Sequence, residues 1–282
     1  MGVIATRDIK AGELILKEKP FVVWADEEDV DDLERAVQAL TDTEKKSYYA
    51  HHIAGPYKQL PPTLGIFKTN GLPLEHGALG FFDQGSRFNH SCLPNCSNHW
   101  DEGQEVRWSI ANREIRKGEE IQISYGRTRA PKSERQGWLE ASFGFICGCK
   151  ACSYEEDRTR ESDRRRITIQ EIYDSVEELS ASPLLVIGAV NLALRLLEEE
   201  DLAAGALDLA HEALNVCVWF GDRLNSSRWI DKTLEIRARE NGVWSTKHKD
   251  IEVWKSDPTC HPGWEDLCRK LKVPPMVLIG PE

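Results

Sequence analysis

The stretch Arg87-Phe88-Asn89-His90-Ser91-Cys92-Leu93-Pro94-Asn95-Cys96 decides how the rest of this 282-residue chain is read. Taken alone it says little. An Asn-His pair in a loop is ordinary turn chemistry, and a buried cysteine is often a small apolar filler. Two later segments change its weight. Gly118-Glu119-Glu120-Ile121-Gln122-Ile123-Ser124-Tyr125-Gly126 reads as a short strand that ends in a tyrosine, and Phe145-Ile146-Cys147-Gly148-Cys149-Lys150-Ala151-Cys152 packs three cysteines into six positions.

Working outward, Gly2 to Trp24 alternates around a turn at Lys10-Ala11-Gly12-Glu13, which predicts two short strands in a hairpin. The acidic cluster Asp26 to Asp32 precedes Leu33, Val37 and Leu40 at helical spacing, and Thr41-x-x-Glu44 has the form of a capping box. Pro61-Pro62 is expected to end this insert. Val106 to Ile110 and Glu120 to Tyr125 read as strands. Arg158 to Arg166 is charged and apolar-poor, a solvated linker or the first turns of a helix. Beyond it Leu192, Leu196 and Leu197, then Leu202, Ala206, Leu209, Ala210, Ala213 and Leu214, then Trp229, Ile230 and Leu234 form successive apolar stripes. Asn225-Ser226-Ser227 can cap the last of these helices and Asn241-Gly242 can end it.

Bulk properties narrow the partners. A formal charge of -11 disfavours direct nucleic-acid binding and suits a Lys- and Arg-rich partner. No apolar run approaches the roughly 20 residues of a membrane span. The start Met1-Gly2-Val3-Ile4 lacks a signal-peptide layout, so an intracellular protein, nuclear or cytoplasmic, is expected. In that compartment the eight cysteines do not form disulfides, and tight spacing points to metal. Cys217, Cys260 and Cys268 lie in apolar or irregular surroundings and read as structural.

In their order, the three cysteine- and tyrosine-bearing segments resemble the SET-domain protein-lysine methyltransferases: the Asn-His-Ser-Cys-x-Pro-Asn segment, the Gly-Glu-Glu strand with its catalytic tyrosine, and the cysteine-rich post-SET tail. The resemblance covers residues 1–152. A wide insert before the first segment and a helical second half are similar to the SMYD branch, although the MYND finger of that branch is missing. The family's Gly-x-Gly cofactor loop is reduced here to Gly2. The implied fold is α+β: a SET β-fold of small sheets with a knotted crossing, a helical insert over about 25–79, a post-SET zinc motif at 145–152, and an all-α, tetratricopeptide-like domain over 167–282. No strict repeat supports the last point.

The resemblance also implies roles. Tyr125 is the catalytic hydroxyl. Gly2, Asn70, Asn89, His90, Tyr125 and Phe145 hold S-adenosyl-L-methionine, and Phe143 and Ile123 line the lysine channel. Cys92 joins Cys147, Cys149 and Cys152 around zinc, with Cys96 as the competing fourth ligand. A monomer acting on a lysine of a histone or another protein follows.

The chemistry asks for such a site. Free lysine has a pKa of about 10.4, so the nucleophilic amine is scarce near neutrality. A neighbouring sulfonium and partial desolvation both lower that value. Methyl transfer then depends mostly on alignment. Two other readings stand beside this one. The reduced glycine loop favours a non-catalytic SET module acting as an adaptor, and a histone and a non-histone substrate are indistinguishable from sequence.

Overall fold

The computed structural model describes residues 2–25, 29–176, 182–203, 205–240, 242–243 and 246–282. The chain divides into two compact units, Met1–Gly126 with Lys132–Ser153, and Arg127–Pro131 with Tyr154–Glu282.

The first unit holds strands β1 (Val3–Ile4), β2 (Leu14–Glu18) and β3 (Val22–Ala25), helices α1 (Val30–Gln38), α2 (Asp42–Tyr49) and α3 (Pro62–Asn70), strands β4 (Leu72–Pro73), β5 (Ala78–Phe81), β6 (Asn89–His90), β7 (Cys96–Asp101), β8 (Val106–Ala111) and β9 (Glu120–Ile123), and helix α4 (Lys132–Phe143). They form three small sheets of order β1-β9-β6, β2-β8-β7 and β3-β5-β4.

The expected hairpin over Gly2 to Trp24 does not form. Its turn is present, with the Glu13 N–H donating to the Lys10 carbonyl at 3.1 Å. However, β1 pairs with β9, β2 with β8 and β3 with β5. A strand of two residues is too short to support a hairpin, and Val3 instead joins the apolar cluster of Ala5, Ile9, Phe88, Ile121 and Ile123. Distant partners bury these side chains better than sequence neighbours would.

The insert builds its own core. Leu33 and Val37 of α1 pack with Trp24, Tyr48, Phe67 and Phe81. Thr41 caps α2 in the expected capping box with Glu44. Tyr48 buries its ring while its hydroxyl donates to the Thr63 carbonyl at 2.7 Å, the usual condition for a buried tyrosine. Pro61-Pro62 opens α3 rather than closing the insert, because proline in the first turn lacks an N–H that would have no helical partner anyway. Residues 26–28 of the acidic cluster lie outside the described residues.

The second unit is helical: α5 (Glu156–Ser175), α6 (Pro183–Glu199), α7 (Ala206–Trp219), α8 (Arg223–Glu240), α9 (Thr246–Ser256) and α10 (Asp266–Leu271). Helices α5 to α9 pack in sequence, α5 on α6, α6 on α7, α7 on α8 and α8 on α9, and α10 packs on α7. Arg158 to Arg166 lies inside α5 and is not a linker. Arg166 is 0% exposed there. Its Nε donates to Glu200 and Ser162 at 3.2 Å, and a second nitrogen reaches the Thr128 carbonyl. A buried guanidinium persists only with such partners. Helix α8 starts earlier than expected. Asp222, not Asn225-Ser226-Ser227, caps it by accepting from the Asn225 N–H at 3.1 Å. Asn241 lies outside the described residues. Cys217 and Cys268 are buried, but Cys260 is exposed and so has no core role. Among the described residues no helix is long and apolar enough to cross a membrane.

Candidate active site

Parallel pairing of β6 with β9 sets the site. Asn89 lies opposite Gln122 and His90 opposite Ile123. The chain then leaves β9, and Tyr125 meets the side chain of His90. The Tyr125 N–H donates to His90 Nδ1 at 3.0 Å, and the Tyr125 hydroxyl donates to the Phe88 carbonyl at 2.9 Å. Phe143 stands 4.8 Å from the Tyr125 ring, His90 5.2 Å and Phe145 6.5 Å, centroid to centroid. Desolvation, with Glu120 adding to it, pushes the Tyr125 hydroxyl up to about 12. It stays protonated at any physiological pH.

Because an amide N–H can only donate, Nδ1 of His90 must accept. Its proton therefore sits on Nε2, which is 3.3 Å from Cys92 Sγ. Burial lowers the His90 pKa to about 4, with Cys149 opposing and Arg135 assisting. A neutral imidazole fits both contacts.

Two cavities meet at this tyrosine. The larger, of about 700 Å³, is lined by Asn70, Asn89, Tyr125, Phe143 and Phe145, with His51 and Lys58 on its insert side. The smaller, of about 340 Å³, is lined by Asn89, His90, Glu120, Gln122, Tyr125, Phe145, Cys147 and Cys149. Asn89, Tyr125 and Phe145 belong to both. Asn70 reaches the larger cavity while its amide nitrogen donates to the His52 and Ile66 carbonyls at 2.8 and 2.7 Å.

Gly2 sits against this wall. A Cβ there would lie 1.9 Å from Glu120 Oε1 and 2.6 Å from Asn89 Nδ2, so any larger residue would have to displace those two side chains. Ile123 differs from expectation. It is buried with Phe88 and Ile121 and lines neither cavity. Alternation along β9 turns Ile121 and Ile123 into the core and leaves Glu120 and Gln122 facing the smaller cavity. Sequence reading passed over Glu120, although its place between two apolar residues of that strand was a usable signal. Asn89 donates to its carboxylate at 2.7 Å.

The thiols of Cys92, Cys147, Cys149 and Cys152 converge, with all sulfurs within 4.8 Å of one another. The Cys92–Cys152 and Cys92–Cys147 separations are 3.6 and 4.0 Å. Tetrahedral zinc with bonds near 2.3 Å asks for about 3.8 Å, so the set fits that ion. Cys92 and Cys147 are pushed up because, as thiols, they donate to neighbouring sulfurs, while Cys149 and Cys152 are pulled down as the acceptors. Around a bound zinc all four would be thiolates, and the cation would offset their charge. The guanidinium of Arg135, 1% exposed and 4.0 Å from Cys152 Sγ, balances part of the remaining charge. Cys96 is elsewhere. It starts β7, and burial raises its thiol to about 12.

The family model for the SET domain matches residues 1–126. Histone-lysine N-methyltransferase set5 of Schizosaccharomyces pombe is 30% identical over 265 residues, 93% of this chain and 82% of that protein. The chain belongs to the SET-domain protein-lysine methyltransferase family. It is also similar to N-lysine methyltransferase SMYD2 of Bos taurus, 24% identical over 70% of this chain and 51% of the relative. Histone-lysine N-methyltransferase SMYD3 of Mus musculus is 25% identical over 53% and 40% of the two chains. The chain thus spans about half the length of the first of these two relatives and two fifths of the second.

Proposed function

We propose that this protein transfers a methyl group from S-adenosyl-L-methionine to a lysine side chain of a protein, a histone or another intracellular protein, in the nucleus or cytoplasm. The observation that carries the reading is that one tyrosine, Tyr125, lines two neighbouring cavities. In-line displacement needs donor and acceptor on opposite sides of the moving carbon, and alignment provides most of the acceleration.

The cofactor supplies an electrophilic methyl on a sulfonium. Asn70, Asn89, His90 and Phe145 would hold it, with Gly2 closing the wall beside Asn89. The hydroxyl of Tyr125 donates its hydrogen bond to the Phe88 carbonyl, which leaves the oxygen's lone pairs free. Those lone pairs accept from the amine N–H and contact the methyl C–H groups. The rings of Tyr125, Phe143 and Phe145 exclude water, which favours the uncharged amine. The four cysteines would hold a structural zinc that ties residues 147–152 to the loop carrying Asn89 and His90. We assign catalysis to residues 1–152 and a tetratricopeptide-like role in partner binding to residues 167–282.

The test is labelled-methyl transfer from S-adenosyl-L-methionine onto purified histones and onto cell extract, with the modified lysine located by mass spectrometry. Incorporation abolished by Tyr125→Phe supports the reading. Cofactor binding without any transfer would favour the adaptor module instead.

A further inference from the structure

Residues 275–282 run extended, without helix or sheet, along the second unit. Their polar contacts follow a period of two. The Met276 N–H donates to the Phe220 carbonyl at 3.0 Å. The Leu278 N–H donates to the Asp222 carboxylate, and its carbonyl accepts from Asn225 Nδ2 at 3.1 Å. Both ends of the Asn191 amide engage the segment, donating to the Gly280 carbonyl at 3.2 Å and accepting from the Glu282 N–H at 3.3 Å. Trp229 Nε1 adds a donor to the Ile279 carbonyl at 3.3 Å.

Apart from the Ile279 carbonyl, which meets Trp229, these contacts are made to main chain at residues 276, 278, 280 and 282, one face of an extended strand. Among the segment's large apolar side chains only Leu278 is buried, at 7% exposure, while Val277 on the outer face is 82% exposed. Gly280 is matched to the groove, since a Cβ there would lie 2.9 Å from Asn225 Oδ1. The readers themselves, Asn191, Asp222, Asn225 and Trp229, are all buried. Buried polar groups of this kind are costly to leave unmatched. A surface that merely needed covering would be apolar. This one presents two amides and a carboxylate at strand spacing, with an indole N–H beside them, the means by which an extended peptide is recognised largely independently of its sequence.

We infer that α6, α7 and α8 form a peptide-binding groove whose ligand class is an extended segment carrying an aliphatic anchor followed two residues later by glycine, and that residues 276–282 are its resident, displaceable occupant. A segment of that type from another protein competes for the same main-chain ladder.

The test uses the full chain and a fluorescein-labelled peptide of the sequence Pro274 to Glu282, followed by anisotropy. Leu278→Asp expels the anchor and frees the groove. Because a tethered occupant acts at roughly millimolar effective concentration, the variant should take up the peptide at least about tenfold more tightly than the unaltered protein. Equal binding by the two proteins, or no binding by a variant whose circular dichroism is native, overturns the inference. Hydrogen exchange on the unaltered chain is independent of the variant's folding. Amides of Met276, Leu278 and Glu282 exchanging about tenfold faster than those of α7 and α8 supports a displaceable occupant, and exchange in step with the helices overturns it.

Discussion

The backbone N–H of Tyr125 is held by Nδ1 of His90 at 3.0 Å, and the other ring nitrogen of His90 lies 3.3 Å from Cys92 Sγ. One neutral imidazole thus links the position of the reactive tyrosine to the four-cysteine cluster. Loosening that cluster would release the histidine, and with it the loop that aims the hydroxyl.

Tyr125→Phe keeps the ring and its contacts with Phe143 and Phe145 and removes only the oxygen. Turnover should fall by about 2–4 kcal/mol in barrier, as for loss of one transition-state donor. Cofactor affinity by calorimetry and bound zinc should hardly change, because an interaction made in the transition state lowers turnover without a matching change in KM. Unchanged turnover would take the hydroxyl out of the chemistry.

Cys92→Ser removes one of the four converging sulfurs. Elemental analysis should find about one zinc per chain in the unaltered protein and well under that in the variant. Cys96→Ser should retain the metal, since its sulfur lies in the core at the start of β7. Metal binding is folding free energy, so a chelator should lower the Tm of the unaltered protein and of Cys96→Ser alike, and that of Cys92→Ser little.

Gly2→Val places carbon where Glu120 Oε1 and Asn89 Nδ2 already stand. The 2.7 Å bond between those two side chains must part. Cofactor Kd should rise about tenfold or more, about 1.4 kcal/mol, with little change in Tm because the groups displaced are the ends of two side chains and not backbone. Equal affinity would mean that Gly2 does not shape the cofactor wall.

Glu240 makes stability depend on pH. Burial pushes its carboxyl from 4.5 up to about 8, with Arg239 and Arg237 opposing and Asp208 adding. Between those two values the folded chain holds a proton that the unfolded chain has released, so stability falls as pH rises through the window and levels off above it. Glu240→Gln removes the effect. Its folding stability should exceed that of the unaltered protein at pH 8.5 by on the order of a few kcal/mol, seen as a higher Tm, and match it near pH 4.5. A constant difference across that range would show that Glu240 is not the titrating group.

Much of the site was legible because its parts are local. Tyr125 follows a four-residue strand whose alternation is written in Glu120-Ile121-Gln122-Ile123, and the capping box at Thr41 and Glu44 needs only one turn of chain. Ile123 was misplaced for a related reason. Sharing a strand face with a site residue does not say how deep along that face the core begins. The hairpin failed because Leu14–Glu18 reads the same whether its partner is near or, as found, β8.

By itself the sequence located several of the strands and helices, the residue types present for methyl transfer, and three thiols close together, since each depends on neighbours within a few positions. Only the tertiary structure decided which cysteine completes the set. Cys92 and Cys96 are four residues apart in an irregular stretch, and it is the parallel pairing of Asn89–His90 with β9 that directs the first toward Cys147 and the antiparallel pairing of β7 with β8 that carries the second into the core. The groove filled by residues 276–282 is of the same kind. Asn191, Asp222, Asn225 and Trp229 come from α6, from α8 and from the turn between α7 and α8, and their spacing along the chain bears no trace of the strand they hold.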